Sequence, residues 1–400
     1  MVITFHAAAI YCTADLSNIA KDSNITNNGG LHMEQVRLGI IGFGVMGENH
    51  SKYIFNGEVS GCILSGICDD NPERLKRARA LYPDVKLFND YQNMINSGMI
   101  DAVLIATPHY DHPKIAIYSL QKGLHTLVEK PAGVYTKQVL EMNEAAAKTD
   151  KVFGIMYNQR TNPLYQKLRD LVISGELGEI KRTNWIIDWY RPQSYYDSGG
   201  WRATWKGEGG GVLLNQDPHQ LDLWQWTCGM PKRVRAFCYF GKYHKIEVED
   251  EVTAFVEYEN GATGVFVTST AMTPETNRLE VMGDKGKVVI EDGKLTFDRL
   301  RVPERQFNEE YSGGAIAKPE CWRCDIPVPS GQGGQHVEIT QNFTNAILKG
   351  EELLAPGIEG INGLQISNAM HLSSWIDDWV DIPVDPDLFY EKLMERVKSE

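Results

Sequence analysis

No run in this sequence reaches the roughly 18 consecutive apolar residues that a membrane-spanning helix needs, so a membrane protein is not expected. Basic charge is scarce: 40 Lys and Arg stand against 53 Asp and Glu, a formal net charge of −13. Nucleic acids and anionic bilayers attract cationic surface, so neither is an expected partner. The same balance favours a neutral small molecule over a highly anionic substrate, although a local basic pocket could override the average. Cysteine gives no disulfide framework, because the seven are odd in number and scattered. They read as reduced thiols of a cytoplasmic protein. Cys321-Trp322-Arg323-Cys324 is a CxxC without the second pair that completes a zinc site, and no metal is expected. What is present is ordinary: 42% hydrophobic and 23% charged residues in a chain of 400. That length is too great for one core and predicts two domains.

Residues 1–32 stand apart. Met1 to Tyr11 is mildly apolar but lacks a basic start and is broken by His6, while Lys21 to Gly30 is rich in Asn and Ser. This makes a poor signal peptide and reads as a disordered leader or tag ahead of a natural start at Met33.

From Val36 the pattern sharpens. Val36 to Ile41 is a short apolar run of the kind that forms a buried parallel strand. It runs into Gly42-Phe43-Gly44-Val45-Met46-Gly47, with a helical segment behind it. In that setting Gly42 permits the tight turn, Gly44 lets backbone approach a pyrophosphate, and Gly47 lets helix and strand pack closely. The helix N-terminus supplies oriented N–H groups for the anion. The next strand, Ile63 to Cys68, ends in Asp69-Asp70, where an acid meets the adenosine ribose diol and repels a 2′-phosphate. No basic residue intervenes before Arg74, which favours NAD over NADP. Asn71-Pro72 looks like an N-cap and first helical position, which occupies one acid at most.

Further strands, Ile100 to Ala106 and His125 to Val128, end in Thr107-Pro108-His109 and Glu129-Lys130-Pro131. Alternating strand and helix signals imply a Rossmann doubly wound parallel sheet over residues 33–152, with ligand at the strand carboxyl ends. Thr107, Pro108, His109, His112, Glu129 and Lys130 all sit there as cofactor candidates, and His112 reads equally as a helix N-cap. Val152 to Tyr157 is one more strand. Asn158 at its end is a cofactor candidate, and Gln159 and Arg160 are substrate candidates.

Together the Gly42–Gly47 turn, Ala106-Thr107-Pro108 and Glu129-Lys130-Pro131 resemble the Gfo/Idh/MocA oxidoreductase family, which includes glucose–fructose oxidoreductase and inositol dehydrogenases. The resemblance runs from about Met33 to the C-terminus. It implies an NAD enzyme acting on a CH–OH group, with Lys130 as catalytic lysine. It also aligns Gly209-Gly210-Gly211-Val212-Leu213-Leu214-Asn215-Gln216-Asp217-Pro218-His219 with a motif that places a carboxylate four residues before a histidine. His219 is then catalytic, but Asn215 stands where many members have Asp, and an amide holds no proton or charge. Asp217, Pro218 and Gln220 read as a capping box.

Residues 153–400 predict an α+β domain with an open, mostly antiparallel sheet; Glu259-Asn260-Gly261 is a strong hairpin signal. The resemblance implies that the sheet face serves oligomerisation, so a homodimer or homotetramer is expected. Trp185, Trp189, Tyr190, Tyr195, Tyr196, Trp201 and Trp205 cluster among Asp188, Arg191, Asp197 and Arg202. Aromatic faces stack on sugar C–H patches while polar groups bind hydroxyls, so Asp188, Tyr190, Trp201 and Arg202 are substrate candidates; a core or dimer contact is the rival. The expected reaction moves a hydride between a nicotinamide and a secondary hydroxyl of a sugar, glycoside or inositol. His219 is the expected base on its ordinary value near 6.5, and Lys130 orients the hydroxyl or, if its own proton affinity falls, acts as base. Asn215 holds Lys130 or the substrate. The alternatives are a redox-neutral NAD-dependent glycosidase or glycoside 3-oxidase, and a non-enzymatic sugar or NAD sensor.

Overall fold

The computed structural model describes residues 34–398; the expected leader, residues 1–32, lies outside the described residues. Six strands form a wholly parallel sheet: β1 Val36–Ile41, β2 Cys62–Cys68, β3 Lys86–Phe88, β4 Ala102–Ile105, β5 His125–Val128 and β6 Phe153–Ile155. Their spatial order is β3-β2-β1-β4-β5-β6. The order reverses between β1 and β4, which opens a crevice at their carboxyl ends. The strands read as apolar runs because helices cover both faces; β4 is buried at every residue. β3 was not expected, since three half-exposed residues carry no periodic signal.

The turn after β1 is where glycine is required. Gly42 has φ +92°, and a Cβ there would stand 2.6 Å from the Ala106 carbonyl oxygen beyond β4. A Cβ on Gly47 would stand 1.8 Å from the Gly42 carbonyl oxygen. The helix Val45–Phe55 can start so close to β1 only because neither side chain exists.

Nine strands make the second sheet: β7 Ile180–Asp188, β8 Arg233–Phe240, β9 Glu249–Glu257, β10 Thr263–Ser269, β11 Asn277–Gly283, β12 Gly286–Glu291, β13 Lys294–Leu300, β14 Cys321–Cys324 and β15 Val380–Asp381. The order is β14-β13-β12-β11-β7-β10-β9-β8-β15. Pairing is antiparallel except between β7 and β10. The hairpin at Glu259-Asn260-Gly261 forms as expected, with Gly261 at φ +82° between β9 and β10. Helices Pro218–Cys228 and Gly360–Ile376 line one face of this sheet. Trp224 stacks on Phe266 of β10 and donates Nε1 to Thr183 of β7 at 3.1 Å. Among the described residues no helix is long and apolar enough to cross a membrane.

Beside β6, Ile155 N donates to Ala355 O at 3.1 Å, in the segment that leads into the helix Gly360–Ile376. The short turn Asn158–Thr161 follows, and Arg160 within it donates to both oxygens of Asp222 at 2.8 and 2.6 Å and to Glu359 at 2.5 Å. Arg160 was expected at the substrate. It is instead wholly buried, because its guanidinium is the charge partner that lets Asp222 enter the interior.

Candidate active site

The crevice begins at the glycine turn. A Cβ on Gly44 would meet nothing within 4 Å, so the backbone at the helix N-terminus stands open to a ligand. Val45 is exposed and Met46 partly so. Phe43 differs from expectation: its ring is buried edge-on against Tyr82, and its N–H donates to Asp69 Oδ2 at 2.7 Å. Asp69 is buried and also accepts from Asn71 N at 2.9 Å and Arg74 Nη1 at 3.3 Å. It therefore ties the glycine turn to the end of β2, while Asp70 is exposed. Asn71 is the N-cap of its helix, accepting from Glu73 N. Two buried side-chain oxygens in the expected cofactor set, Thr107 Oγ1 and Asn158 Oδ1, have no partner among the described residues. An open glycine at a helix N-terminus with orphaned acceptors nearby fits a dinucleotide.

His112 is neither N-cap nor free ligand. The cap position is Tyr110, and both imidazole nitrogens lie 2.8 Å from carbonyl oxygens, of Pro131 and Thr107. The ring thus bridges the ends of β4 and β5. His109 is buried with Nδ1 3.2 Å from Glu208 O and its ring edge-on to Trp201 at 5.9 Å. Burial holds it well below the usual imidazole value. Pro108 is exposed.

Glu129 and Lys130 close β5, with the Lys130–Pro131 bond cis. Burial works against an ionised Glu129, yet the 2.6 Å bond to His50 and that ring's charge outweigh it and hold the carboxyl at about 2. Glu129 also accepts from Lys130 N at 3.0 Å. It supports Lys130 from beneath and is not open to a ligand as expected. The line continues inward, His50 Nδ1 to Tyr53 at 2.7 Å and Tyr53 to Thr340 at 2.7 Å. Lys130 Nζ donates to Asn215 O at 2.8 Å, which leaves two of its three donors. Burial lowers its proton affinity, with Glu129 and Glu208 opposing and Arg202 and Arg191 reinforcing.

Asn215 does hold Lys130, but through its backbone; its side chain donates to Glu208 and to Tyr195 OH. His219 faces Lys130 electrostatically and packs edge-on to Tyr157, and its buried Nδ1 has no partner among the described residues. Burial and then the Lys130 charge push it down to about 3, so the ordinary value on which it was expected to act as base does not hold. The capping box is also corrected. Asp217 makes no side-chain cap because its backbone, φ −89° and ψ 2°, is not extended. Its Oδ1 accepts from Trp189 Nε1 at 2.7 Å, and burial raises it to about 7.

Of the substrate candidates, Gln159 donates to Gln335 Oε1, which also accepts from the cofactor candidate Asn158. Asp188 ends β7, accepts from Thr276 N at 3.2 Å, and is raised by burial. Tyr190 is exposed. Trp201 and Arg202 reach the site, Trp201 through His109 and Arg202 through Tyr195 OH at 3.0 Å. The main omission from the sequence reading is Glu208, buried beside Asn215 and raised by burial to about 6. It precedes the three glycines by one residue, so the motif read from Gly209 stopped just short of it. His50 and Tyr53, one turn apart on the helix behind Gly47, offered only their spacing.

Residues 36–157 match the family model described as oxidoreductase family, NAD-binding Rossmann fold, and residues 165–289 match the GFO/IDH/MocA C-terminal domain. Levoglucosan dehydrogenase of Pseudarthrobacter phenanthrenivorans is 24% identical over 88% of this chain and 99% of its own length. Inositol 2-dehydrogenase of Corynebacterium glutamicum is 34% identical over 37% of this chain and 44% of its own. The WlbA dehydrogenase from Bordetella pertussis, solved with NADH and UDP-GlcNAcA, superposes with TM-score 0.74 and 26% identity over 88% of this chain and 100% of its own.

Proposed function

The chain belongs to the Gfo/Idh/MocA family of oxidoreductases, and from that premise we propose that it oxidises a secondary hydroxyl of a sugar, glycoside or inositol. Bound NAD supplies the hydride acceptor. The observation that carries this reading is Lys130: a partly buried amine at the carboxyl end of β5, held by Asn215 O, with hydrogen-bonding capacity to spare and His219 as a neighbour.

Loss of a hydride from a carbinol carbon needs the hydroxyl proton removed as the charge develops. Burial lowers the proton affinity of Lys130 and so suits it to take the hydroxyl proton. His219, pushed to about 3, stays neutral and serves as a hydrogen-bond partner that orients the hydroxyl rather than as the base. Asn215 fixes the Lys130 Nζ position. Gly44, Thr107 and Asn158 hold the cofactor, with Asp69 or Asp70 at the ribose end. Residues 33–152, with Asn158, serve the cofactor, and the rest of 153–400 the substrate and self-association as a homodimer or homotetramer. We place the protein in the cytoplasm, which the free cysteines among the described residues support.

The test mixes protein and NAD with inositols, free sugars and aryl glycosides, following NADH and released aglycone together. NADH in proportion to substrate from at least one polyol or glycoside is expected, and Lys130→Met should lose about 10²- to 10⁴-fold in turnover while still binding NAD. Aglycone release without NADH would replace this reading with the redox-neutral glycosidase. Undiminished turnover in Lys130→Met would remove Lys130 from the chemistry.

A further inference from the structure

Around Lys130 two arginines stand against two acids, a balance that the acidic molecule as a whole does not have. The whole chain carries −13. Yet the guanidinium groups of Arg202 and Arg191 are close enough to Lys130 to act on its ionisation, and Arg202 acts on His109 as well. Of the acids that offset them, Glu129 is hydrogen-bonded to His50, and Glu208 accepts from Ala203 N and the Asn215 amide with Arg202 beside it.

Arg202 is held as a presented fork. Its guanidinium carbon lies 4.7 Å from the ring centroids of both Tyr195 and Trp201. Its Nη1 donates to Tyr195 OH at 3.0 Å and lies 3.9 Å from Glu208 Oε1. These contacts fix the plane of the group. They leave Nε and Nη2 without a hydrogen-bond partner among the described residues, on a side chain 23% exposed. Stacking alone would explain the plane but not a free edge next to a reactive lysine. A guanidinium fixed in this way and open along one edge suits two parallel bonds to a carboxylate or phosphate. Arg191 adds a second cation against the same Tyr195 ring, at 5.5 Å. Lys130 and Arg202 are joined through Asn215 and the Tyr195 hydroxyl, so the two seats keep a fixed relation.

We propose that the substrate carries an anionic substituent, a carboxylate or a phosphate, and that Arg202, assisted by Arg191, receives it while Lys130 takes the reacting hydroxyl. This rests on the hydride-transfer reading above and replaces the neutral substrate expected from net charge. Net charge is an average over the whole chain, whereas recognition depends on the few charges at the seat.

The experiment measures initial NADH rates for matched sets in the gluco, galacto and manno series: free pyranose, uronate and 6-phosphate, each at low and high salt. For at least one series an anionic member should exceed its neutral counterpart in kcat/KM by about 10- to 100-fold, the size of one or two charge-assisted bonds. That preference should shrink as salt rises. The uronate and phosphate arms identify which anion is read. Arg202→Gln should bring the ratio to within about threefold of unity, and Arg202→Lys should restore part of it, because charge returns without the fork. Both variants are checked for folding by NAD binding. Neutral sugars or inositols turning over as well as the anions would overturn the proposal and leave hydride transfer standing. So would a ratio untouched in an Arg202→Gln protein that binds NAD. No NADH in any arm from protein that binds NAD would overturn both readings.

Discussion

Asp217 shows how far the identity of a residue can be from its state. Its sequence neighbours, Pro218 and Gln220, spell a helix cap, but the carboxyl is buried against Trp189 and Thr268 and raised to about 7 from an ordinary 3.8. Between those values the unfolded chain is ionised while the fold keeps a proton. Stability from this group is therefore complete below 3.8 and is lost as pH rises through about 7. The loss amounts to about 4 kcal/mol at most, at about 1.4 kcal/mol per pH unit. Asp217→Asn keeps an acceptor for Trp189 and has no proton to lose. Melting temperatures of the two proteins should diverge from pH 4 to 7, the variant gaining, and run parallel above. Parallel curves throughout would mean that Asp217 is ionised like a surface acid. Similar logic explains which site residues were legible. Lys130 and His219 stood out because a motif fixes their place in the fold. The protonation of His219 did not, since burial and a neighbouring ammonium are properties of the folded chain. Arg160 looked like a ligand because its partner Asp222 lies 62 residues away.

At the scale of elements, the β1–turn–helix unit was readable because its constraint is local. Gly42, Gly44 and Gly47 each exclude a side chain for a different reason, and the structure separates them. Gly47→Ala places a methyl against the Gly42 carbonyl and should destabilise the fold by about 1–3 kcal/mol, read as a lowered melting temperature. Gly44 has φ −80° and open space around it. Gly44→Ala should therefore melt within about 0.5 kcal/mol of wild type and still bind NAD at least about tenfold more weakly, since the methyl enters the phosphate approach. Equal NAD affinity in both proteins would place the pyrophosphate elsewhere. β7 was less readable, because polar residues stand on both of its faces, Lys181 and Thr183 on one and Arg182 and Asn184 on the other, and its parallel partner β10 lies about 80 residues on. Non-local pairing leaves no mark on the strand's own sequence.

For the whole molecule, the antiparallel character of the second sheet was legible from its hairpin and its alternating strands, and so was the need for something to cover it. One face is occupied by helices. On the other, cross-strand register aligns Phe237, Thr253, Val267 and Ile186 in a single row across β8, β9, β10 and β7. Phe237 is 50% exposed and Ile186 41%. Phe237 and Ile186 at the two ends of this row are large apolar side chains left open on a broad sheet, a surface that a self-complementary second copy would cover. Light scattering after size exclusion should give the mass of a dimer or tetramer. Ile186→Asp with Phe237→Asp would put like charges across such an interface and should lower that mass to the monomer's, with the melting transition still cooperative. A wild-type protein that elutes as a monomer at micromolar concentration would leave the row without a partner of its own kind, and self-association would have to be abandoned as the reason for its exposure.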